Sequence, residues 1–387
     1  MTEFRDIPFG RPWITEGDRK AVMEVLDGHI LTHGPQCRAF EEEFAAFLGD
    51  GAHCVTVSSC TAALHLAYFQ LGIGPGDEVI VPAQTHTATA HAVELVGARP
   101  VFVDCEPATG NLTADGIAAA ITPRTKAISV VHFVGIPCAM PEIITLAERH
   151  GLKVIEDCAT ALGARYEERH VGLFGDAGCF SFYPVKHITT GEGGMFVTRH
   201  RSLAEAVSRL RAFGVDRTHT QRVVPGMYDV LTLGLNYRMS EMQAALGRTQ
   251  LRRIEENLER RRSNFKALKQ SLDGLRGLFV LDATNPDVNS SYYCLSVVLE
   301  GGLAERRNEI VARLNAVGVG TSVYYPQPVP RMRYYRDKYG YDAARFTQAA
   351  RISDYSVALP VGPHVDGSDI EYMADKLRNI IIEEINR

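Results

Sequence analysis

Short runs of β-branched and apolar residues alternate with longer amphipathic segments over residues 53–213. The runs read VTVSS, EVIVPA, PVFVD, AISVVHF and KVIED. Such alternation is typical of a mainly parallel sheet covered by helices, and runs without polar alternation fit strands that are buried on both faces. We therefore predict an α/β fold in which ligands bind beyond the carboxyl ends of the strands.

The length of 387 residues exceeds what one small hydrophobic core accommodates, so we expect two domains. After Asn236 the pattern changes, and residues 240–272, which contain few helix breakers, predict one long helix or two in series. We assign residues 1–245 to a large domain and residues 246–387 to a smaller C-terminal α+β domain. The elements predicted in the smaller domain are a strand over 292–299, a helix over 305–316, a strand near 321–325 and a final helix from Asp369. Residues 214–229 show neither helical nor strand periodicity and are predicted to form a loop.

The composition excludes several classes of protein. A net charge of −5 gives no basic field, and the densest cationic run, residues 252–262, is interleaved with glutamates, so no nucleic-acid partner is expected. No apolar run reaches membrane-spanning length and the N-terminal residues lack a secretory pattern, so we expect a cytoplasmic protein without a membrane partner. The eight cysteines contain no CxxC pair, which argues against a metal site.

The segment FSFYPVKHITTGEGG, residues 180–194, places Lys186 on a loop between two predicted strands. Residues 180–183 predict a buried strand, the glycines predict a tight turn, and residues 195–198 predict the returning strand. An amine in such a partly desolvated pocket deprotonates more easily, and a neutral amine is what Schiff-base chemistry with a carbonyl cofactor requires. The alternative is a lysine whose stem packs while its head reaches water.

A second candidate lies where a strand runs into the sequence Ser59-Cys60-Thr61-Ala62 at the start of a predicted helix. Hydroxyl groups and free backbone N–H groups gather at such a helix N-terminus and form an anion site. The alternative is simple N-capping by Ser59 or Thr61.

Two further candidates follow predicted strands. Asp157 closes the strand of residues 153–156, where a buried carboxylate needs a cationic partner such as a protonated pyridine nitrogen; alternatively, it caps a following helix. His86 follows the strand of residues 78–83, and its imidazole is suited to lie on a planar cofactor; alternatively, it is a histidine at a helix start.

An anion-binding turn, a flat side chain, a carboxylate and a lysine thus follow one another on loops of one predicted sheet. With these motifs, from about Pro12 to the C-terminal helix, the chain resembles the DegT/DnrJ/StrS-type sugar aminotransferases. The residues from Gly234 to Gln243 are similar to the family signature GxNYRMxxxQAA. The resemblance implies the aspartate aminotransferase fold, which is PLP fold type I with a mainly parallel seven-stranded sheet, and pyridoxal 5′-phosphate as the cofactor.

The resemblance also implies roles for individual residues. Lys186 matches the Schiff-base lysine, and Asp157 matches the partner of the pyridine nitrogen. Ser181 and the Thr61-Ala62 turn match the ligands of the phosphate group.

Other positions match or differ from the family pattern. His86 stands where the family usually has a stacking aromatic side chain, and Thr160 replaces the glutamine or histidine that contacts the ring hydroxyl. Cys60 replaces the usual glycine of the phosphate turn, and Pro330 stands where a histidine often occurs. Asn236 matches an asparagine that reaches the phosphate of the neighbouring subunit, so the resemblance implies a homodimer with shared active sites.

The implied reaction moves an amino group from L-glutamate, leaving 2-oxoglutarate, to a nucleotide-linked keto sugar in amino-sugar biosynthesis, as for lipopolysaccharide or O-antigen. The loop TTGEGG at residues 189–194 resembles that of members acting at C4, which predicts a 4-keto-6-deoxy sugar. One alternative is a sugar 3-dehydratase of the same fold, in which a histidine replaces the lysine; here His187 is adjacent, but Lys186 is present. Another is a cofactor-binding regulatory protein without turnover, which the intact pair of Lys186 and Asp157 disfavours.

Overall fold

The computed structural model describes residues 4–217, 223–224 and 226–386. The strands are β1 (His53–Val57), β2 (Glu78–Pro82), β3 (Arg99–Val103), β4 (Thr125–Val131), β5 (Lys153–Asp157), β6 (Arg165–Tyr166), β7 (Arg169–His170), β8 (Ala177–Ser181), β9 (Gly194–Thr198), β10 (Leu278–Val280), β11 (Val288–Asn289), β12 (Leu295–Leu299) and β13 (Ser356–Leu359). The helices are α1 (Glu16–Leu26), α2 (Pro35–Leu48), α3 (Cys60–Gln70), α4 (Thr87–Leu95), α5 (Ala114–Ala120), α6 (Met140–His150), α7 (Arg201–Leu210), α8 (Glu241–Leu251), α9 (Ile254–Ser271), α10 (Arg307–Ala316), α11 (Arg333–Tyr339), α12 (Thr347–Tyr355) and α13 (Gly367–Ile385). Residues 218–222 and 225 of the predicted loop lie outside the described residues.

The large sheet contains seven strands in the order β1-β9-β8-β5-β4-β2-β3. β9 runs antiparallel to both of its neighbours, whereas the other neighbouring strands are parallel. The carboxyl ends of six strands and the start of β9 therefore meet at one edge of the sheet. This topology confirms the predicted α/β class with a mainly parallel seven-stranded sheet.

The centre of this sheet is buried on both faces. Every residue of β2 and of β9 is buried, which explains why these strands have no alternating polar residues. Eight residues of α3 are buried as well, because α3 packs against β8, β9, α4 and α7. A helix that is apolar on all sides is one that neighbours surround, and this packing fixes the start of α3 at the carboxyl edge.

The C-terminal part of the chain builds a second core around the antiparallel sheet β10-β12-β13. Buried apolar residues of α9, α10 and α13 pack against this sheet, and Ile7 from the N-terminal segment joins them. The segment predicted as one helix or two in series forms two, α8 and α9. The domain boundary after residue 245 falls inside α8 and stays a prediction.

The strand predicted near residues 321–325 is wrong. In the described part of the chain, the β pairing of this segment is one isolated bridge between Ser322 and Ala358. The backbone then leaves the small sheet, and the Tyr324 carbonyl accepts a hydrogen bond from Gln84 Nε2 at 2.9 Å, beside the end of β2. Pro326 follows directly and has no N–H to donate to a neighbouring strand.

Among the described residues, no helix combines the length and the apolar composition that crossing a bilayer requires.

Glu156 fastens the loop between β7 and β8 to the sheet. Its carboxylate accepts hydrogen bonds from the backbone N–H groups of Gly172, Phe174 and Gly175 at 2.7, 2.8 and 2.7 Å. A fourth bond, at 3.1 Å, joins it to His132 Nε2. Both side chains are fully buried, so the four donors hold a charge that water cannot reach.

Replacing this carboxylate tests its structural role. Glu156→Gln keeps the size but turns an amide NH2 group toward backbone donors, so we expect a loss of about 2–5 kcal/mol in the free energy of unfolding. Urea denaturation, followed by circular dichroism, measures the change. The control is Glu168→Gln in the turn between β6 and β7, where the side chain is exposed and an unchanged midpoint is expected. Equal midpoints for both variants would contradict this role of Glu156.

Candidate active site

The residues singled out in the sequence lie on loops at the carboxyl edge of the large sheet. The Ser59 turn follows β1, His86 follows β2, Asp157 ends β5, and Lys186 lies on the connection from β8 to β9. Because these four strands are parallel to one another, the loops share one side of the molecule. This arrangement agrees with the general location of ligands in such sheets.

Lys186 lies on a tight connection and is half-buried. Its backbone N–H donates to the Tyr183 carbonyl at 2.9 Å, and its Nζ lies 4.9 Å from the ring centroid of Tyr293. Burial lowers the pKa of the Lys186 amine, and the nearby Asp157 carboxylate opposes part of that effect. The amine is therefore easier to deprotonate than an exposed lysine, as the sequence predicted.

The Asp157 carboxylate is buried, with 4 % of the residue exposed. Oδ2 accepts a hydrogen bond from Thr89 Oγ1 at 2.8 Å, and Oδ1 accepts one from the Ala159 N–H at 3.0 Å. No lysine, arginine or histidine of the described residues lies within ion-pair distance of it. The next regular element is β6, so Asp157 caps no helix. A buried carboxylate without a cation fits a site that a positively charged ligand atom completes.

The turn before α3 is a capped helix N-terminus, and its role as an anion site stays a prediction. Ser59 is the N-cap residue and accepts a hydrogen bond from the Ala62 N–H at 3.1 Å, so N-capping by Ser59 is confirmed. Gly194 at the start of β9 packs so closely that a Cβ atom there would lie 2.5 Å from Ser59 C and 2.6 Å from Cys60 N. The backbones of the turn and of β9 therefore touch without intervening side chains, and the Thr61 side chain is half-buried at this turn.

Cys60 directs its side chain into the sheet. Its Sγ donates to the Cys179 carbonyl at 3.3 Å and lies 3.9 Å from Asp157 Oδ1. Burial raises the pKa of this thiol well above its usual value, so the group stays neutral. The side chain that replaces the family glycine is therefore accommodated in the protein interior.

His86 begins α4 and is its N-cap residue. Nδ1 accepts a hydrogen bond from the Ala88 N–H at 3.1 Å, so the alternative of a helix-start histidine is confirmed. Its ring meets Tyr325 edge to face, with centroids 5.6 Å apart. Burial lowers the pKa of the imidazole, which favours the neutral ring. Stacking of His86 on a cofactor stays a prediction.

The other three predicted site residues differ in their surroundings. Thr160 is buried, and its Oγ1 donates to the His132 carbonyl at 3.1 Å, so its hydroxyl hydrogen is already used in a hydrogen bond within the protein. Ser181 ends β8 and its Oγ accepts a hydrogen bond from the Tyr183 N–H at 3.4 Å. Asn236 is exposed on the surface of the protomer. Their roles as cofactor ligands stay predictions.

Sequence reasoning missed two side chains that contact the predicted pair. Thr89 lies one turn after His86 in α4 and donates to Asp157, while Thr85 Oγ1 lies 2.8 Å from Thr89 Oγ1. Thr89 lies three residues after His86, on the same face of the predicted helix, and this spacing could have marked it as a site residue. Tyr293 reaches Lys186 from the C-terminal part of the chain, and no local pattern marks it.

One buried group of residues has atoms that could ligate a metal, namely His132, Glu156 and Cys158 among the described residues. His132 Nδ1 accepts a hydrogen bond from the Cys138 N–H at 3.1 Å, and the Glu156 carboxylate accepts four bonds. These ligand atoms are thus engaged with protein donors. We interpret the group as structural.

Comparison with known proteins identifies the family. The sequence model of the DegT/DnrJ/EryC1/StrS aminotransferase family matches residues 12–378. The chain belongs to this family. It is therefore an enzyme of the aminotransferase class, which confirms the resemblance stated from the motifs.

Individual relatives match over nearly their whole length. The chain is 37 % identical over 383 residues to the spore coat polysaccharide biosynthesis protein SpsC of Bacillus subtilis (strain 168), covering 97 % of each sequence. The crystal structure of the aminotransferase TlmJ from Streptoalloteichus hindustanus is 33 % identical, with a TM-score of 0.90 over 98 % of this chain and 100 % of that one. Spr1654 from Streptococcus pneumoniae, provisionally assigned as a sugar aminotransferase and solved in its PLP form, is 28 % identical, with a TM-score of 0.91 and coverage of 98 % and 100 %.

The contact between Gly194 and the Ser59 turn generates a prediction. In Gly194→Ala the new Cβ meets backbone atoms that cannot rotate away, so the first turn of α3 must shift. We expect the affinity for pyridoxal 5′-phosphate to fall about 10- to 100-fold, the scale of a lost hydrogen bond to a charged group. Equilibrium binding followed by absorbance measures this.

The matched control is Gly302→Ala, where a Cβ has no neighbour within 4 Å. This variant should bind pyridoxal 5′-phosphate as the wild-type protein does. A Gly194→Ala protein with wild-type affinity would show that the turn does not hold the phosphate.

Proposed function

We propose that the protein transfers an amino group from L-glutamate to a nucleotide-linked 4-keto-6-deoxy sugar, at C4. The observation that carries this proposal is a lysine of lowered pKa at the same strand edge as a buried carboxylate that lacks a cation. The cofactor is pyridoxal 5′-phosphate, as expected for an aminotransferase family whose relatives include a PLP form. The broader activity, that of a sugar aminotransferase, agrees with the relatives SpsC and Spr1654.

The residues of the site fit this cofactor. Asp157 has two hydrogen-bond donors but no cation, which a protonated pyridine nitrogen supplies. The N-terminus of α3, at Thr61 and Ala62, offers the phosphate a positive dipole end and the Thr61 hydroxyl, while the Ala62 N–H donates to Ser59 Oγ; Ser181 offers a second hydroxyl. Lys186 provides the amine for the carbonyl carbon. Each charged or reactive part of the cofactor thus has a partner of matching chemistry.

When bound, pyridoxal 5′-phosphate would supply an electron sink and would carry the amino group between the donor and the keto sugar. Lys186 Nζ, when free, would accept the proton from the substrate carbon and later give it back. Its lowered pKa favours the neutral form that accepts this proton. Asp157, whose Oδ2 accepts a hydrogen bond from Thr89, would face the pyridine nitrogen and favour its protonated form.

The sugar 3-dehydratase alternative conflicts with the geometry. His187 is buried, and its Nε2 donates to the Ser291 carbonyl at 2.9 Å. Burial lowers the pKa of His187 well below its usual value, so this ring is neutral and turned into the protein. It does not take the place of Lys186. A regulatory protein without turnover has no support beyond the fold, because both the lysine and the carboxylate are present.

The proposed substrate generates a direct test. With glutamate as donor, a 4-keto-6-deoxy sugar nucleotide should be aminated about 10²-fold more efficiently than its 3-keto isomer, because the ketone must align with Lys186 and the cofactor. Mass spectrometry of the products and kcat/KM values for both isomers provide the measurement. Preference for the 3-keto isomer would overturn the C4 assignment alone. Loss of a C3 hydroxyl without gain of an amine would instead indicate the dehydratase.

We further propose a homodimer in which Asn236 contributes to the partner's site. In the protomer, Asn236 is exposed and follows a segment with several exposed apolar side chains. These side chains are Phe213, Met227, Tyr228, Val230, Leu231 and Leu233, of which Leu233 is 72 % exposed. A cluster of this kind on a monomer surface marks an interface. The cytoplasmic location and a role in lipopolysaccharide or O-antigen synthesis remain predictions.

A mixed dimer distinguishes shared sites from separate ones. Lys186→Ala and Asn236→Ala chains should each be poorly active alone, whereas a heterodimer of the two has one site with both defects and one with neither. We expect about half the wild-type activity per purified heterodimer. Differently tagged co-expressed chains allow its isolation and assay.

The control chain is Asn289→Ala, which changes another exposed asparagine, in β11, and should be fully active alone. An inactive Lys186/Asn236 heterodimer would show that Asn236 works within its own chain.

A further inference from the structure

Tyr293 presents the face of its ring to the amine of Lys186. Nζ lies 4.9 Å from the ring centroid, within the range of a cation–π contact. Tyr293 is buried, with 4 % of the residue exposed, so the contact is shielded from water. Burial raises the pKa of Tyr293 well above its usual value. The phenol is therefore neutral, and Lys186 meets a ring face instead of a phenolate.

The ring is held in place from several directions. Its hydroxyl lies 2.8 Å from the Tyr324 hydroxyl, and the two rings meet edge to face at 5.4 Å. The Tyr293 carbonyl accepts a hydrogen bond from Arg261 Nη1 at 2.9 Å, and Asn257 Oδ1 fixes the same guanidinium at 2.8 Å. The residue before it, Tyr292, has a φ of 50°, which is unfavourable for an aromatic residue.

This support exceeds what simple packing requires. Arg261 is buried and has no carboxylate partner among the described residues. It donates instead to two neutral acceptors, Asn257 Oδ1 and the Tyr293 carbonyl, and the second bond anchors Tyr293. The left-handed backbone at Tyr292 adds a conformational cost at the adjacent position. Costs of this kind persist where the surrounding structure fixes a functional geometry.

We propose that Tyr293 is a positioning residue for Lys186: the face of its ring holds the released side chain and stabilises the ammonium form that Lys186 has after it takes up a proton. The inference rests on the proposed role of Lys186 as the cofactor lysine. The contact gives the released amine a defined position over the ring. It also offsets part of the effect of burial on the protonated form, so the pKa of the amine depends on the ring.

Other groups also act on this amine. The Asp157 carboxylate from β5 favours the charged form, and burial opposes it. The neutral thiols of Cys60 in α3 and of Cys294, the residue before β12, also lie near the amine. His86 and His187 also lie close enough to interact with its charge. None of these groups changes when only the ring of Tyr293 is replaced, so a variant at this position isolates the contact.

The test measures the pH at which Lys186 becomes reactive. The full-length protein, dialysed free of cofactor, is acetylated with trace acetic anhydride across a pH series, and mass spectrometry follows the Lys186 peptide. In Tyr293→Leu the midpoint should fall by about 0.4 to 1.5 pH units, which is the scale of a desolvated cation–π contact. Tyr293→Phe keeps the ring face and should retain the wild-type midpoint. Exposed Lys126 is the internal reference and should not change in any variant.

A purely structural role predicts a different result. Equal midpoints for the wild-type, Phe and Leu proteins, or equal shifts in Phe and Leu, would overturn the inference. If Tyr293→Leu does not fold, as judged by circular dichroism, Tyr293→Met supplies the same comparison with a more adaptable side chain. Binding of pyridoxal 5′-phosphate to the wild-type protein is measured separately. If the wild-type protein does not bind pyridoxal 5′-phosphate but Tyr293→Leu shows the expected shift of the acetylation midpoint, the proposed function alone is refuted. If the cofactor binds but the midpoint does not shift, the role of Tyr293 alone is refuted.

Discussion

A carboxylate without a cation, at the end of a central parallel strand, is the constraint on which the rest of the site depends. Asp157 is buried, and among the described residues its oxygens are approached by Thr89 Oγ1, the Ala159 N–H and the Cys60 thiol. Such a group is costly to bury unless a positive ligand atom joins it. The strand order places β5 beside β8, whose following loop carries Lys186, and β9 separates β8 from β1 and the Ser59 turn.

The antiparallel strand β9 brings those two features together. It pairs with both β1 and β8, and it starts at Gly194, against the Ser59 turn. The same short connection that carries Lys186 therefore ends at the Ser59 turn. The C-terminal part of the chain contributes from the other direction, because Tyr293, just before β12, reaches the lysine, and the Tyr324 hydroxyl contacts the Tyr293 hydroxyl. The site is thus built by both parts of the chain.

Local patterns in the sequence predicted the sheet and the placement of Lys186, Asp157 and the Ser59 turn, since apolar runs and glycine turns record strands and their ends. The same patterns did not reveal Thr89 or Tyr293, because these residues reach the site through helix packing and long-range contacts. The segment at residues 321–325 has β-branched and aromatic residues but bends toward Gln84 instead of pairing. The path of this segment depends on tertiary contacts, which the β-propensity of its residues does not predict.

Covalent binding of the cofactor by Lys186 is tested most directly by borohydride reduction of the protein with pyridoxal 5′-phosphate, followed by peptide mapping. We expect one reduced adduct, on Lys186, and retention of that adduct in an Asp157→Asn protein with weakened binding. An adduct on another lysine, or none at saturating cofactor, would contradict it.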